Sequence, residues 1–281
     1  MHSIEELIDI ALKEDIGPGD ITTDNLIDPG WSGVGTIVAK EPIVLAGMDV
    51  AAKVFHRLDP RINIKARYRD GDHIAAGEKI VTLSGNLRAL LSGERTALNF
   101  LQRLSGIATL VRSYVEKLGD TKARLVDTRK TTPGWRTLEK YAVRVGGAYN
   151  HRMGLYDGVL IKDNHIEVSG GISPAVLKIR DVVSHLVKIE VEVSDLPAVE
   201  EALAAGADVI MLDNMGIQQV AEAVKRIHGR AVVEVSGGIT DRNLRQLGQT
   251  GVDLISVGAL THSARNVDLS MRIQPTHEFN A

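Results

Sequence analysis

The sequence predicts an α/β protein: a small α+β domain over roughly the first hundred residues, then a β/α barrel. From Arg124 onward, short, β-branched, nearly all-apolar runs recur about every twenty residues: RLVDT (124–128), GVLIK (158–162), KIEVEV (188–193), DVIML (208–212), AVVEV (231–235) and DLISV (253–257). The stretches DLPAVEEALAAG, GIQQVAEAVKRIHG and TDRNLRQLGQTG between them have helical period and close on glycine. Strands that are apolar on both faces and alternate with helices belong to a parallel sheet. Six or seven such units fit a barrel. A doubly wound open sheet is the rival, and no G-x-G-x-x-G after an early strand supports it.

The earlier elements follow from local patterns. Ser3-Ile4-Glu5-Glu6 is a capping box opening a helix whose Ile4, Leu7, Ile8, Ala11 and Leu12 share one face. GVGTIVAK (33–40) reads as a strand, MDVAAKVFHRLD (48–59) as a helix, and INIKARY (62–68) and KIVTLSG (79–85) as strands. Asn86 to about Leu118 is helical in pattern, with a break or bend expected near Gly106. Asp28–Val34 and Gln274–Ala281 carry no motif.

Composition narrows the function. With 44% apolar and 25% charged residues and a net charge of −3, nothing points to a nucleic-acid partner. No apolar run approaches the ~18 residues of a membrane span, and the acidic, amphipathic N-terminus is unlike a signal or transit peptide. The absence of cysteine excludes disulfides, thiolate metal sites and a cysteine nucleophile, and suits the cytoplasm. Charge is uneven, however. Between Arg95 and His165 there are 13 Lys/Arg against 6 Asp/Glu, net +7, leaving −10 elsewhere. Such a pool calls for an anionic small molecule.

Barrels gather their chemistry at the carboxyl ends of their strands. Those ends carry, in order, Thr128-Arg129-Lys130, His151-Arg152, Lys162, Glu190 and Glu192, Asp213, Ser236-Gly237-Gly238, and Gly258-Ala259-Leu260. Each alone is ordinary: an Arg-Lys pair is commonly a solvated turn, and glycines are commonly turn glycines. Collectively they place five cationic or protonatable side chains beside two carboxylate positions and two glycine-rich turns. SGG and VGAL put small residues where helices are expected to begin, so backbone N–H groups can meet a phosphate. Glu192 and Asp213 suit Mg²⁺, which takes one or two protein carboxylates and leaves its other positions to water and phosphates. Alternation puts Glu190 and Glu192 on one face, where either could instead be an interior acid paired with a lysine.

The blocks SGERTALNFLQRLSGIAT (92–109), DTRKTTPGWRTLEKYAVRVGG (127–147), NHRMGLYDGVLIKDNH (150–165), IEVEV (189–193), IMLDNM (210–215), EVSGGIT (234–240) and ISVGALTHS (255–263) resemble the quinolinate phosphoribosyltransferases, also called nicotinate-nucleotide pyrophosphorylases (carboxylating). EDIGPGDITTD (14–24) resembles the family's opening segment, so the similarity covers nearly the whole chain. The resemblance implies an N-terminal open-faced α/β sandwich over residues 1–105, joined by residues 265–281, and an incomplete seven-stranded α/β barrel over 106–264. It implies transfer of a phosphoribosyl group from 5-phosphoribosyl-1-pyrophosphate to quinolinate, with Mg²⁺, giving nicotinate mononucleotide, pyrophosphate and CO₂ in NAD synthesis de novo. It also implies a homodimer, with larger assemblies known in the family.

Carried onto this chain, the resemblance assigns quinolinate to Thr128, Arg129, His151, Arg152 and Lys162, with Arg95 donated by the partner subunit. Lys130 stands between quinolinate and pyrophosphate, and with Lys162, Glu192 and Asp213 makes up the catalytic set. Glu192 and Asp213 hold the metal. Ser236, Gly237, Gly238, Gly258, Ala259 and Leu260 cradle the 5-phosphate, with His262 just beyond. Because successive residues of a strand alternate direction, Arg129 is expected to face a pyridine carboxylate and Lys130 the pyrophosphate.

Three rivals stand beside this reading. Lys162 could form a Schiff base, although one amine needs no crowd of further cations. A same-fold relative could act on another substrate, as a nicotinate-type phosphoribosyltransferase or a molybdenum-transport-associated protein. A binder without turnover is the third, and it would have no need of both Glu192 and Asp213.

Overall fold

The computed structural model of the chain describes residues 3–276, which form two compact units. One comprises the chain up to Arg112, Thr132–Gly147 and the chain from Ser263; the other comprises Ser113–Thr131 and Ala148–His262. In order, the elements begin α1 (Ile4–Ile16), α2 (Ile21–Leu26), β1 (Ser32–Ala39), β2 (Ile43–Val44), α3 (Met48–Leu58), β3 (Asn63–Ala66), β4 (His73–Ile74), β5 (Lys79–Asn86) and α4 (Leu87–Leu118). There follow β6 (Arg124–Val126), α5 (Arg136–Val145), β7 (Val159–Ile161), α6 (Asp163–Ser169), α7 (Ile172–Val182), β8 (Ile189–Val193) and α8 (Leu196–Ala204). The chain then runs through β9 (Val209–Asp213), α9 (Ile217–Ile227), β10 (Val232–Ser236), α10 (Leu244–Gln249), β11 (Leu254–Ser256), α11 (Ala259–His262) and β12 (Leu269–Pro275).

In the first unit, the capping box forms as its residues dictate. Ser3 Oγ accepts from Glu6 N at 3.1 Å, and Glu6 Oε2 accepts from Ser3 N at 2.8 Å. An antiparallel sheet runs in the order β12-β1-β5-β3, and β2 pairs with β4 in a separate short ladder. Along β1, buried and partly exposed residues alternate, with Gly33, Gly35, Ile37 and Ala39 inward. β12 is not assigned from the sequence, although Leu269, Met271 and Ile273 alternate with Ser270, Arg272 and Gln274 as in a half-buried strand; it pairs antiparallel with β1. Residues 277–281 of the segment assigned no motif lie outside the described residues.

The break expected at Gly106 is absent, since α4 is continuous from Leu87 to Leu118. A Cβ at Gly106 would run into the Arg265 carbonyl oxygen, so glycine here admits another backbone. The returning chain is fastened to the same helix: Val267 N donates to Gln102 O (3.2 Å), Gln102 Nε2 to Leu269 O (3.1 Å) and Arg103 Nη1 to Ala264 O (2.7 Å). The buried Glu139 of α5 accepts from Arg103 Nη2 at 2.7 Å and from Thr132 N at 3.1 Å. That ion pair fixes the start of α5 after the DTRKTTPG turn.

The second unit is built on a parallel sheet in the order β6-β11-β10-β9-β8-β7. Its central strands are buried along nearly their whole length, as in a parallel sheet covered on both faces. The expected seventh strand is reduced to one parallel bridge, Val126 to Tyr149. Tyr149 N donates to Leu125 O (2.9 Å) and Asp127 N to Tyr149 O (3.1 Å), after which side-chain bonds take the chain away. Among the described residues nothing pairs with the outer edge of β7, so the barrel is incomplete.

Gly106→Ala provides a test with a sign. Helix propensity alone would stabilise the variant by about 1 kcal/mol. The backbone clash predicts instead a loss of about 3 kcal/mol, the upper part of the overpacking range, measurable by denaturant unfolding.

Candidate active site

β6 ends at Val126, and the next residue, Asp127, is fully buried. Its carboxylate accepts from His151 N at 2.8 Å and Asn150 Nδ2 at 2.6 Å, which ties the segment carrying His151 and Arg152 to the end of β6. Beyond it, Lys130 N donates to Thr128 Oγ1 (3.1 Å) and Thr131 N to Arg129 O (2.9 Å). Residues 128–130 are therefore a turn, and the strand alternation expected to separate Arg129 from Lys130 does not operate there. The turn itself separates them. The Lys130 stem passes over Gly258, where a Cβ would lie 2.8 Å from Lys130 Cδ and 3.2 Å from His262 Nε2. The Lys130 carbonyl also accepts from Thr261 Oγ1 at 2.7 Å. Arg129 stands within electrostatic reach of Arg152; burial first, and then the Arg129 charge, lowers the pKa of Arg152. Arg152 Nη1 donates to Gly158 O at 2.9 Å.

Lys162 follows β7, and its Nζ donates to Glu192 Oε2 at 2.8 Å. Glu190, on the same strand, pairs with a histidine and not a lysine: its Oε2 lies 3.0 Å from His151 Nε2. Glu234 of β10 approaches the same nitrogen, with Oε1 at 3.7 Å. Burial, reinforced by the Glu190 charge and opposed by His151 and Ser256, pushes the Glu234 carboxyl up to about 7. The Oε1 atoms of both glutamates are buried without a hydrogen-bond partner. Ligand-capable atoms of His151, Glu190 and Glu234 all lie within 4.8 Å of one another, a spacing able to hold a metal ion. A histidine–carboxylate contact of hydrogen-bond length fills that space here.

Asp213 closes β9, and its Oδ2 accepts from Asn214 Nδ2 at 2.7 Å. Asn214 adopts φ 54° and donates its N–H to Ser236 O at 3.0 Å. Gly237, at φ 85°, is required twice over: its backbone is left-handed, and a Cβ would collide with the Asn214 side chain. No helix starts at SGG, because α10 begins only at Leu244; Asn243 instead holds the turn, its Nδ2 donating to Gly238 O at 3.0 Å. α11 does begin directly after Gly258, with Ala259 and the buried Leu260 in its single turn.

The predicted residues at 128–130, 151–152, 162, 192, 213, 236–238, 258–260 and 262 thus lie at or just beyond the carboxyl ends of this one parallel sheet and its bridge. Arg95 lies elsewhere, exposed on α4 in the first unit.

The chain matches "Quinolinate phosphoribosyl transferase, C-terminal domain" over residues 107–272 and the corresponding "N-terminal domain" over residues 20–105. The chain belongs to the quinolinate phosphoribosyl transferase family. A relative from Bacillus subtilis (strain 168), "Probable nicotinate-nucleotide pyrophosphorylase (carboxylating)", is 46% identical over 275 residues, covering 98% of this chain and 95% of its own. The Mycobacterium leprae (strain TN) "Nicotinate-nucleotide pyrophosphorylase (carboxylating)" is 42% identical, covering 93% and 94%. The crystal structure of NadC from Streptococcus pyogenes superposes with a TM-score of 0.94 at 42% identity, covering 98% and 97%. Human nicotinic acid phosphoribosyltransferase, at 11% identity and a TM-score of 0.65, shares the fold alone.

Several residues of this candidate site carry little or no sequence signal. Glu234 carried a signal, being the lone acid within an apolar parallel strand, VVEVS. Asp127 carried a fainter one, an acid where a buried strand ends. Asn214 and Thr261 carried none, since their roles depend on turns brought together from different strands.

Glu234 also sets a pH dependence. Its carboxyl lies above its ordinary value of 4.5 in the fold, so its stabilising contribution is full below about 4.5 and lost as pH rises through about 7. Glu234→Gln should therefore raise the melting temperature relative to the parent more at about pH 8 than at about pH 5, as scanning calorimetry at both values would show.

Proposed function

We propose that this chain transfers the phosphoribosyl group of 5-phosphoribosyl-1-pyrophosphate to the ring nitrogen of quinolinate and releases pyrophosphate and CO₂. The product is nicotinate mononucleotide, in NAD synthesis de novo. The observation that carries the reading is the set of strand ends presenting Arg129, Lys130, His151, Arg152 and Lys162 beside Glu192 and Asp213 in one parallel sheet.

Quinolinate carries two ring carboxylates, and planar guanidinium donors match carboxylates in pairs. Arg129 and Arg152, close enough to repel, are neutralised by such a dianion, with His151 and Lys162 completing its surroundings and Thr128 beside them. Lys130 and His262, converging on Gly258, take the phosphate side, with Ser236, Gly237, Gly238, Ala259 and Leu260 lining the 5-phosphate cradle. The C1′–O bond to pyrophosphate breaks as the N–C1′ bond forms. Positive charge then grows on the ribose and negative charge on the leaving group, so the protein's work is positioning and charge stabilisation. Loss of CO₂ leaves an electron pair on the ring carbon, stabilised by the quaternised nitrogen. Lys130 and Lys162 are the candidate donors of the proton that this carbon then takes up.

Glu192 and Asp213 fit Mg²⁺ by donor chemistry: two carboxylates from adjacent strands, hard oxygen ligands that leave room for water and phosphate. When bound, the ion supplies charge neutralisation at the pyrophosphate. Lys162, now on Glu192 Oε2, holds that carboxylate in place.

The assembly we infer is a homodimer, or a larger homo-oligomer built from it, in which Arg95 of one subunit serves the other's quinolinate. Its support is the exposed apolar surface at the unpaired edge of β7. There Leu155, Tyr156 and Val168, 71%, 77% and 89% exposed, line a cleft of about 860 Å³. Among the described residues no helix is long and apolar enough to cross a membrane. The cysteine-free composition suits the cytoplasm.

Incubation with quinolinate, 5-phosphoribosyl-1-pyrophosphate and Mg²⁺ should yield nicotinate mononucleotide and CO₂ in equal amounts. Turnover of nicotinate in place of quinolinate would overturn the assignment. Arg95→Ala and Lys162→Ala, each inactive alone, should regain activity on mixing, because one hybrid site recovers both residues. Failure to do so, with subunit exchange demonstrated, would rule out a shared site.

A further inference from the structure

We propose that Glu190 and Glu234 are positioning residues that hold the His151 ring for a substrate carboxylate, at a cost in stability to the fold. The inference rests on the quinolinate reading for His151 and adds two residues to which no role has been given.

The fold does not need these acids. Glu190 and Glu234 are 7% and 1% exposed, on parallel strands whose neighbouring residues are valine and isoleucine. A buried charged cluster is commonly replaceable by apolar residues of similar volume without loss of stability. With both groups ionised, each glutamate has one buried carboxylate oxygen that no hydrogen-bond donor reaches. Such oxygens carry a desolvation penalty, and two neighbouring carboxylates add repulsion. Local rules are broken in this way where function requires it.

Both carboxylates address one atom. His151 Nε2 lies 3.0 Å from Glu190 Oε2 and 3.7 Å from Glu234 Oε1, while the His151 backbone N–H is held by Asp127 at 2.8 Å. The residue is thereby gripped at its main chain and at the far end of its ring, and these grips come from β8, β10 and the end of β6. Residues that lock a binding side chain from behind set the precision with which it meets its ligand. A displacement of about 1 Å at such a position can cost about 10²-fold in rate.

The test combines kinetics with stability. Glu190→Gln and Glu234→Gln proteins are assayed with quinolinate and 5-phosphoribosyl-1-pyrophosphate varied separately, and their melting temperatures are measured at about pH 8. The expected result is a quinolinate KM raised about 10-fold or more, an unaltered KM for 5-phosphoribosyl-1-pyrophosphate, and melting temperatures equal to or above the parent's. In a His151→Asn background the same substitutions should add nothing further to the quinolinate KM, because they act through that ring. An active parent whose variants keep the quinolinate KM while melting lower, or fail to fold, would make the cluster purely structural and overturn the inference. So would an effect that persists undiminished in the His151→Asn background. A parent protein inert on quinolinate is a different outcome, and it overturns the functional reading instead.

Discussion

The grip of Asp127 on the segment at 150–151 is the interaction on which the candidate site depends. One buried carboxylate, at the end of one strand, receives a backbone N–H and a side-chain amide from a segment that has only a single ladder contact of its own. Hydrogen bonds to a charged acceptor contribute about 1.5–3 kcal/mol each, more than a lone bridge does. The turn carrying Arg129 and Lys130 and the segment carrying His151 and Arg152 are therefore set from a common point. Without it, the vestigial seventh strand has little to define its register.

From that point the electrostatics arrange themselves by strand. Cations lead at β6, at the bridge and at β7, and carboxylates follow on β8, β9 and β10. Lys162 on Glu192 and His151 on Glu190 bring the two groups into contact. A cluster of cations alone would repel itself, and the carboxylates beside it offset that repulsion. Arg129 and Arg152 are like charges near enough for one to lower the pKa of the other. Beside β6, at the ends of β10 and β11, Gly237 and Gly258 clear space that Asn214, Lys130 and His262 fill to their edges.

Much of this was legible in the residues, for physical reasons that differ from element to element. The buried parallel strands announce themselves because apolar, β-branched runs bounded by glycine have few other uses. The capping box at Ser3 is local, and it forms as written. Gly106 misled because a glycine within a helical pattern has two explanations, flexibility and close approach, and Arg265, far away in sequence, decides between them. β12 is remote in sequence from its partner β1, and the SGG turn resembles a helix start because asparagine capping from Asn243 cannot be foreseen from glycine spacing.

The sequence by itself determined the α/β class, the order of the strands along the chain, the family, and which side chains stand at the strand ends. All of these depend on residue type and on neighbours within a few positions. Tertiary structure decided which of those side chains meet. Lys130 lies over Gly258, Glu190 faces His151, and Glu234 approaches the same histidine from a further strand. Periodicity orients a side chain toward a face, but the partner it finds there is set by register and strand order. Those in turn are properties of the assembled sheet.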